Sequence, residues 1–343
     1  MRLHPRNPRK DDKAIVKTVA WLICLGVGIF ALFACGEEVP RGSGPGNTAA
    51  ASAPASEPAR PLVVVSIYPV ASIVDQLAGD WLEIYTLIPP DGLPTSRKLS
   101  DYSRKKLSQA QVLFTVSPEY DGWIEEEAKE VSRKDLKLLR FSDIVGLTGA
   151  GARTKPATEP DTRGAQALWL DPALVDYFIQ QLGDRLSPLV MEHATSLRTR
   201  AKLMRTRLIA IDAEFAAKFR ESEQRKLMVY DPSFDGLMRK YGLEVVGHVK
   251  SSITEDTPEL DVQGLARLIE EHHLPVVYGY ARQNDPTLDA VLRHTGVKLL
   301  TLDPMGGEGI SGYNNYLDML KSNLEKLEYG QARPTQKQSD DAF

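Results

Sequence analysis

The chain has 343 residues, 42% hydrophobic and 26% charged, with a formal net charge of −4. That composition excludes a disordered chain and supplies enough apolar mass for a large globular body, read here as two lobes rather than one core. The net-acidic balance argues against nonspecific nucleic-acid binding.

In chain order, a basic start (Arg2, Arg6, Arg9, Lys10, Lys13, Lys17) leads into an apolar run from about Val19 to Ala34. This is the pattern of an export signal. Leu32-Phe33-Ala34-Cys35-Gly36 is similar to the bacterial lipobox, which implies cleavage after residue 34 and a lipid on Cys35. The alternative is a retained membrane anchor, for which the run is slightly short. Cys24 leaves with the signal, so the mature chain has no thiol beyond Cys35, and disulfides and cysteine metal sites are excluded. Residues 1–34 carry six basic and two acidic side chains, so their removal takes the net charge to −8. Residues 35–60, rich in Gly, Ser, Pro and Ala, read as a flexible tether.

From 61 to 171 short β-branched runs alternate with helical patterns. Strands are expected at Leu62-Val63-Val64-Val65-Ser66-Ile67, at Leu82–Ile88 and at Val112–Val116. Helices follow them over about Val70–Ala78, Asp101–Ala110 and onward from Glu119. Such alternation predicts an α/β fold with a doubly wound parallel sheet. Residues 147–166 read as an exposed loop. Gly149-Ala150-Gly151 within it lacks the third glycine and the leading strand of a dinucleotide fingerprint. No phosphate-binding Gly-Lys-Ser/Thr sequence occurs, which excludes nucleotide hydrolysis.

Residues 172–222 are helical, with a break near Ser187-Pro188. In their second part Leu197, Ala201, Met204, Leu208, Ile211, Phe215 and Phe219 recur at three and four, one apolar stripe that needs a partner. Arg198, Arg200, Lys202, Arg205 and Arg207 fall on the other faces, read as a solvated surface balanced by acidic neighbours. A second alternating region fills 223–330. Its strands are expected at Leu227–Tyr230, Glu244–Val246, Val276–Tyr278 and Leu299–Leu302, with helices over about Phe234–Tyr241, Thr257–Glu271, Thr287–His294 and Tyr313–Leu327. Thr257-Pro258 supplies a hydroxyl cap and a first-position proline. The last residues, 331–343, read as a disordered polar tail.

Several short motifs then fall in a telling order: Ser66-Ile67-Tyr68-Pro69-Val70, Pro89-Pro90, Trp169-Leu170-Asp171-Pro172, Tyr241-Gly242-Leu243-Glu244, Thr295-Gly296-Val297-Lys298, Leu302-Asp303-Pro304-Met305-Gly306 and Tyr316-Leu317-Asp318-Met319. Together they make the chain resemble the zinc- and manganese-type solute-binding proteins that deliver metal to ABC importers, over about residues 62–328. The resemblance implies two α/β lobes joined by one long helix, a metal between them, a monomer, an ABC permease as partner, and no enzymatic activity.

It also implies ligand places. Counting from Pro89-Pro90, the first histidine's place is taken by Thr95. Two residues before Trp169 stands Ala167. Asp231 stands before the second-lobe helix, and Asp303 alone keeps the family's residue type. Thr, Ala, Asp and Asp offer no nitrogen-rich tetrahedral zinc site. Two carboxylates and water could hold a divalent metal, Zn, Mn or a harder cation, only loosely.

Asp231 and Asp303 are therefore the metal candidates, each with N-capping of the following turn as its plain alternative. His248, nearest a strand-end loop, is the one histidine expected to border the cleft. Asp171 reads as a helix cap. Tyr280 and Arg282 stand where the family usually has Glu-Pro-Gln. With Arg97, Lys98, Arg104, Lys105 and Lys106 they leave open an anionic ligand or acidic partner, against a solvated basic helix face. Three functions remain open: an importer receptor with an oxygen-rich metal site, a binder of another, anionic small ligand, or a lipoprotein with a structural or partner-interaction role.

Overall fold

The computed structural model of the chain describes residues 59–89, 98–147, 167–250, 261–280 and 285–332. The first lobe is a four-stranded parallel sheet in the order β2-β1-β3-β4, built from β1 (Leu62–Val65), β2 (Glu83–Thr86), β3 (Val112–Thr115) and β4 (Lys137–Arg140). Every residue of β1 and β3 is buried, as expected of central parallel strands covered on both faces. Helices α1 (Tyr68–Ala78), α2 (Asp101–Gln109) and α3 (Pro118–Val131) make the crossovers, and the short α4 (Phe141–Ile144) follows β4.

The second lobe repeats the plan in the order β6-β5-β7-β8, from β5 (Lys226–Val229), β6 (Glu244–His248), β7 (Val276–Tyr280) and β8 (Lys298–Leu302). Between the sheets run α5 (Pro172–Leu186), two 3-10 turns beginning at Ser187, and the 28-residue α6 (Ala194–Glu221). Then come α7 (Asp235–Lys240), α8 (Val262–Glu271), α9 (Pro286–Thr295) and α10 (Tyr316–Gln331). The α6 stripe packs as its spacing dictates: Leu197, Ala201, Met204, Leu208, Phe215 and Phe219 are buried and Ile211 is half-buried. One apolar core continues from the first sheet through Trp169, α5 and α6 to Tyr241 and α10. No helix among the described residues is long and apolar enough to cross a membrane.

Three of the five basic side chains singled out on α6 find acids: Arg198 lies 3.6 Å from Asp184, Arg200 2.5 Å from Asp80 and Arg205 2.8 Å from Asp176. Some boundaries differ from the sequence reading. Helix α8 is described from Val262, where the Asp261 carboxylate accepts the Gln263 N–H at 3.0 Å; the expected start at Thr257-Pro258 lies outside the described residues. Helix α10 starts at Tyr316, capped by Asn315, and runs to Gln331, so Gln331 is buried helix rather than tail. Edge strand β4, Lys-Leu-Leu-Arg, has no apolar alternation to announce it.

Candidate functional site between the lobes

In each sheet the strand order reverses beside the first strand, between β1 and β3 and between β5 and β7. Loops at the carboxyl ends of such strands form the natural crevice of an open α/β sheet. In the second lobe that crevice is lined by Asp231, just after β5, and Tyr280, the last residue of β7. The Tyr280 hydroxyl donates to Asp231 Oδ1 at 2.5 Å, and the Ser233 N–H donates to the same oxygen at 2.9 Å. Asp231 is 6% exposed; burial raises its carboxyl above the usual range, opposed by the Ser233 and Tyr280 hydrogen bonds and by the nearby His248. Burial, with Asp231 beside it, likewise pushes the Tyr280 phenol well up, so it is a proton donor at any physiological pH.

Behind Tyr280 its ring packs on Tyr230, centroids 4.9 Å apart, and on Phe234 at 6.2 Å. The Tyr230 hydroxyl donates to Asp285 Oδ2 at 2.8 Å, while Asp285 Oδ1 caps α9 through the N–H groups of Thr287 and Leu288. His248, at the end of β6, bonds Asp235 Oδ1 through Nε2 at 2.9 Å. Asp303, after β8, is buried and committed to a turn: its Oδ1 accepts the N–H groups of Met305 at 3.0 Å and of Gly306 at 2.9 Å. Gly306 sits at φ 61°, where a side chain is strained. Asn323 of α10 clamps the Asp303 backbone from both sides, at 2.8 and 2.7 Å.

The first lobe presents Tyr120 and Asp121. Helix α3 leaves helical geometry at Asp121 (φ −137°, ψ 23°), which lets its carboxylate turn back to accept the N–H groups of Val116 at 2.9 Å and Ser117 at 3.1 Å. Complete burial pushes the Asp121 carboxyl up to about 7 against those bonds. Tyr120, buried, lies edge-on to Trp169 at 5.1 Å and within electrostatic reach of both Asp231 and Tyr280. The Trp169 indole N–H crosses the lobes to the Pro304 carbonyl at 2.6 Å, beside Asp303, and the Trp169 carbonyl accepts the Tyr316 hydroxyl at 2.9 Å. Two further bonds tie α1 to the second lobe: the Tyr68 hydroxyl to the Asn314 carbonyl at 2.5 Å, and the Tyr316 N–H to Ser72 Oγ at 2.9 Å.

Of the residues singled out from sequence, Asp231 and Tyr280 come together in one hydrogen bond, with His248 close enough to act on Asp231. Ala167, 5% exposed, precedes the 3-10 turn that carries Trp169. Asp171 caps α5, accepting the Ala173 N–H at 2.8 Å. Thr95, Arg97, Arg282 and Cys35 lie outside the described residues. Among the described residues no three His, Cys, Asp or Glu side chains gather as a metal group. Tyr120 was missed by sequence reasoning, and only the Ser117-Pro118 cap just after β3 hinted that this helix start faces the crevice.

These features can be set beside known proteins. The family model for the periplasmic zinc-uptake complex component A, ZnuA, matches residues 63–330. A putative metal-binding protein of Chlamydia trachomatis serovar D is 24% identical over 245 residues, covering 71% of this chain and 85% of that protein. The zinc-binding lipoprotein AdcA of Streptococcus pneumoniae is 19% identical over 273 residues, 77% of this chain but 54% of AdcA, so the chain spans about half of that protein. Among solved structures, a crystal structure of ZnuA superposes with a TM-score of 0.67 at 19% identity, covering 80% of this chain and all of that one. The laminin-binding protein of Streptococcus agalactiae, described as bifunctional with adhesin and metal-transporting activity, gives 0.65 at 21% identity, over 79% of this chain and 99% of that one. At such identities the superpositions show the fold, whereas the family model spans most of the sequence. The chain belongs to the periplasmic zinc-uptake component A family of metal solute-binding proteins.

Proposed function

We infer that the chain is an extracytoplasmic solute-binding protein of a metal-type ABC importer, lipid-anchored through Cys35 and partnered by a permease, whose interlobe site does not capture zinc with high affinity. One observation carries this reading: the Asp231 carboxylate is already bonded to the Tyr280 hydroxyl. Ala167, at a place where the family resemblance implies a ligand, offers only a methyl group. Asp303 adds little, because its carboxylate is spent on the turn at Met305 and Gly306. Zinc binds tightly where three or four nitrogen, sulfur or oxygen ligands converge, and the two engaged carboxylates found among the described residues fall short of that.

Two cations of the basic helix after residue 100 are already paired, which weakens the anionic-ligand alternative. Arg104 pairs with Glu127 and Glu130 and Lys106 with Glu83, so these cations face acids of their own lobe.

Melting of the chelator-stripped protein with Zn, Mn, Mg, Ca and phosphate tests the reading. A ligand of the folded state at a thousandfold excess over its Kd adds about 4 kcal/mol. Zinc is expected to shift the midpoint no more than magnesium does. A zinc-specific shift of the saturating size contradicts the reading.

A further inference from the structure

We propose that Tyr280 is the specificity-determining residue of this cleft: its hydroxyl occupies the coordination position on Asp231 that a bound cation takes, and so excludes the metal. The inference rests on the reading above that the site does not capture zinc, and it names the group responsible.

The geometry is that of a built-in donor. β7 ends Tyr278-Gly279-Tyr280, and alternation along a strand places Tyr278 and Tyr280 on one face. Gly279 takes the other face, where a Cβ would meet Leu288 Cδ2 at 2.8 Å and Leu299 Cδ1 at 2.9 Å; the glycine lets the strand end lie close under α9. The Tyr280 ring then rests on Tyr230 and Phe234, and Tyr230 is itself fixed by Asp285. A ring held on these sides needs no reordering to keep its hydroxyl 2.5 Å from Asp231 Oδ1.

A phenol hydrogen bond to a buried carboxylate is of the stronger, charge-assisted kind. It supplies the positive end of a dipole where a metal would supply a full charge, and a cation must break it before it can bind. The lost bond alone lowers cation affinity by roughly tenfold to a hundredfold. The imidazole of His248, bonded to Asp235, acts electrostatically on Asp231 and is a nitrogen ligand type on the same lobe. Tyr120, from the opposite lobe, adds a second buried phenol to the same crevice and no ligand charge.

The experiment titrates Mn and Zn into the stripped full chain and its variants by calorimetry, with melting in the absence of metal as the check on folding. Tyr280→Phe keeps the ring and deletes only the hydroxyl; Tyr280→His puts an imidazole in its place. The expected result is a silent wild type, a gain of at least about tenfold in Mn or Zn affinity in Tyr280→Phe, and a larger gain in Tyr280→His that Asp231→Asn removes. Tyr280→Leu deletes the same hydroxyl with a different shape and serves if the Phe variant does not fold. A silent wild type with silent Phe, Leu and His variants overturns the role of Tyr280 while leaving the proposed function standing. A gain in the His variant alone also overturns it, because the hydroxyl would then not be what excludes the metal. Tight zinc binding by the wild type defeats the functional reading itself.

Discussion

Trp169→Ala is expected to destabilise the protein by about 4 kcal/mol, the range found when a fully buried large aromatic is cut to a methyl. Trp169 is 1% exposed and belongs to both lobes: its indole N–H bonds the Pro304 carbonyl, its ring meets Tyr120, and its backbone carbonyl takes the Tyr316 hydroxyl. Truncation therefore leaves a cavity and orphans a half-buried carbonyl at once. Trp169→Phe separates the two effects. It keeps most of the volume and loses the indole bond, for an expected cost of about 1–2 kcal/mol plus a smaller packing term. Urea unfolding followed by far-UV circular dichroism measures both, with the midpoint moving at constant slope. A loss below about 1 kcal/mol for the alanine variant would mean that the interlobe seam is not closed around this side chain.

Gly330→Ala is expected to destabilise by about 2 kcal/mol, although alanine favours a helix interior over glycine by about 1 kcal/mol. A Cβ at this position in α10 would stand 2.1 Å from Tyr278 Oη and 2.8 Å from Leu300 Cδ1. Tyr278 cannot step aside cheaply: its hydroxyl donates to the Leu327 carbonyl at 3.2 Å and accepts from Gln331 Nε2 at 3.1 Å, all of it buried. Tyr278→Phe removes the oxygen that clashes, so the double variant is expected to be more stable than the sum of the two single losses allows. Simple additivity in the same urea experiment contradicts this account of why glycine stands there.

Much of the fold was legible because it rests on local chemistry. The buried strands of the first sheet are continuous β-branched or aromatic runs, the α6 stripe repeats at three and four, and Asp171 is followed by proline at the first helical position, as a cap requires. What escaped is tertiary. Edge strand β4 is half charged and takes its conformation from pairing with β3. The last turn of α10 contains Gly330, whose place in a helix is explained only when Tyr278 is seen to fill the space a side chain would take.

The site divides the same way. Its candidate positions follow from motif spacing; Asp231 and Tyr280 share a hydrogen bond, and His248 acts on Asp231 electrostatically. The sequence could not show that one of them answers another. Tyr280 reads from sequence as a departure that left room for an anion, whereas its hydroxyl is turned onto a carboxylate of its own chain. Tyr120 joins Asp231 and Tyr280 from 111 and 160 residues away in the chain, distances no spacing rule spans.

Equilibrium dialysis of residues 60–343 against zinc held in the nanomolar range by a chelator buffer probes the central claim most directly, with bound metal counted by elemental analysis. The account predicts far less than one zinc per chain. One zinc per chain, retained under those conditions and lost in Asp231→Ala, would contradict it.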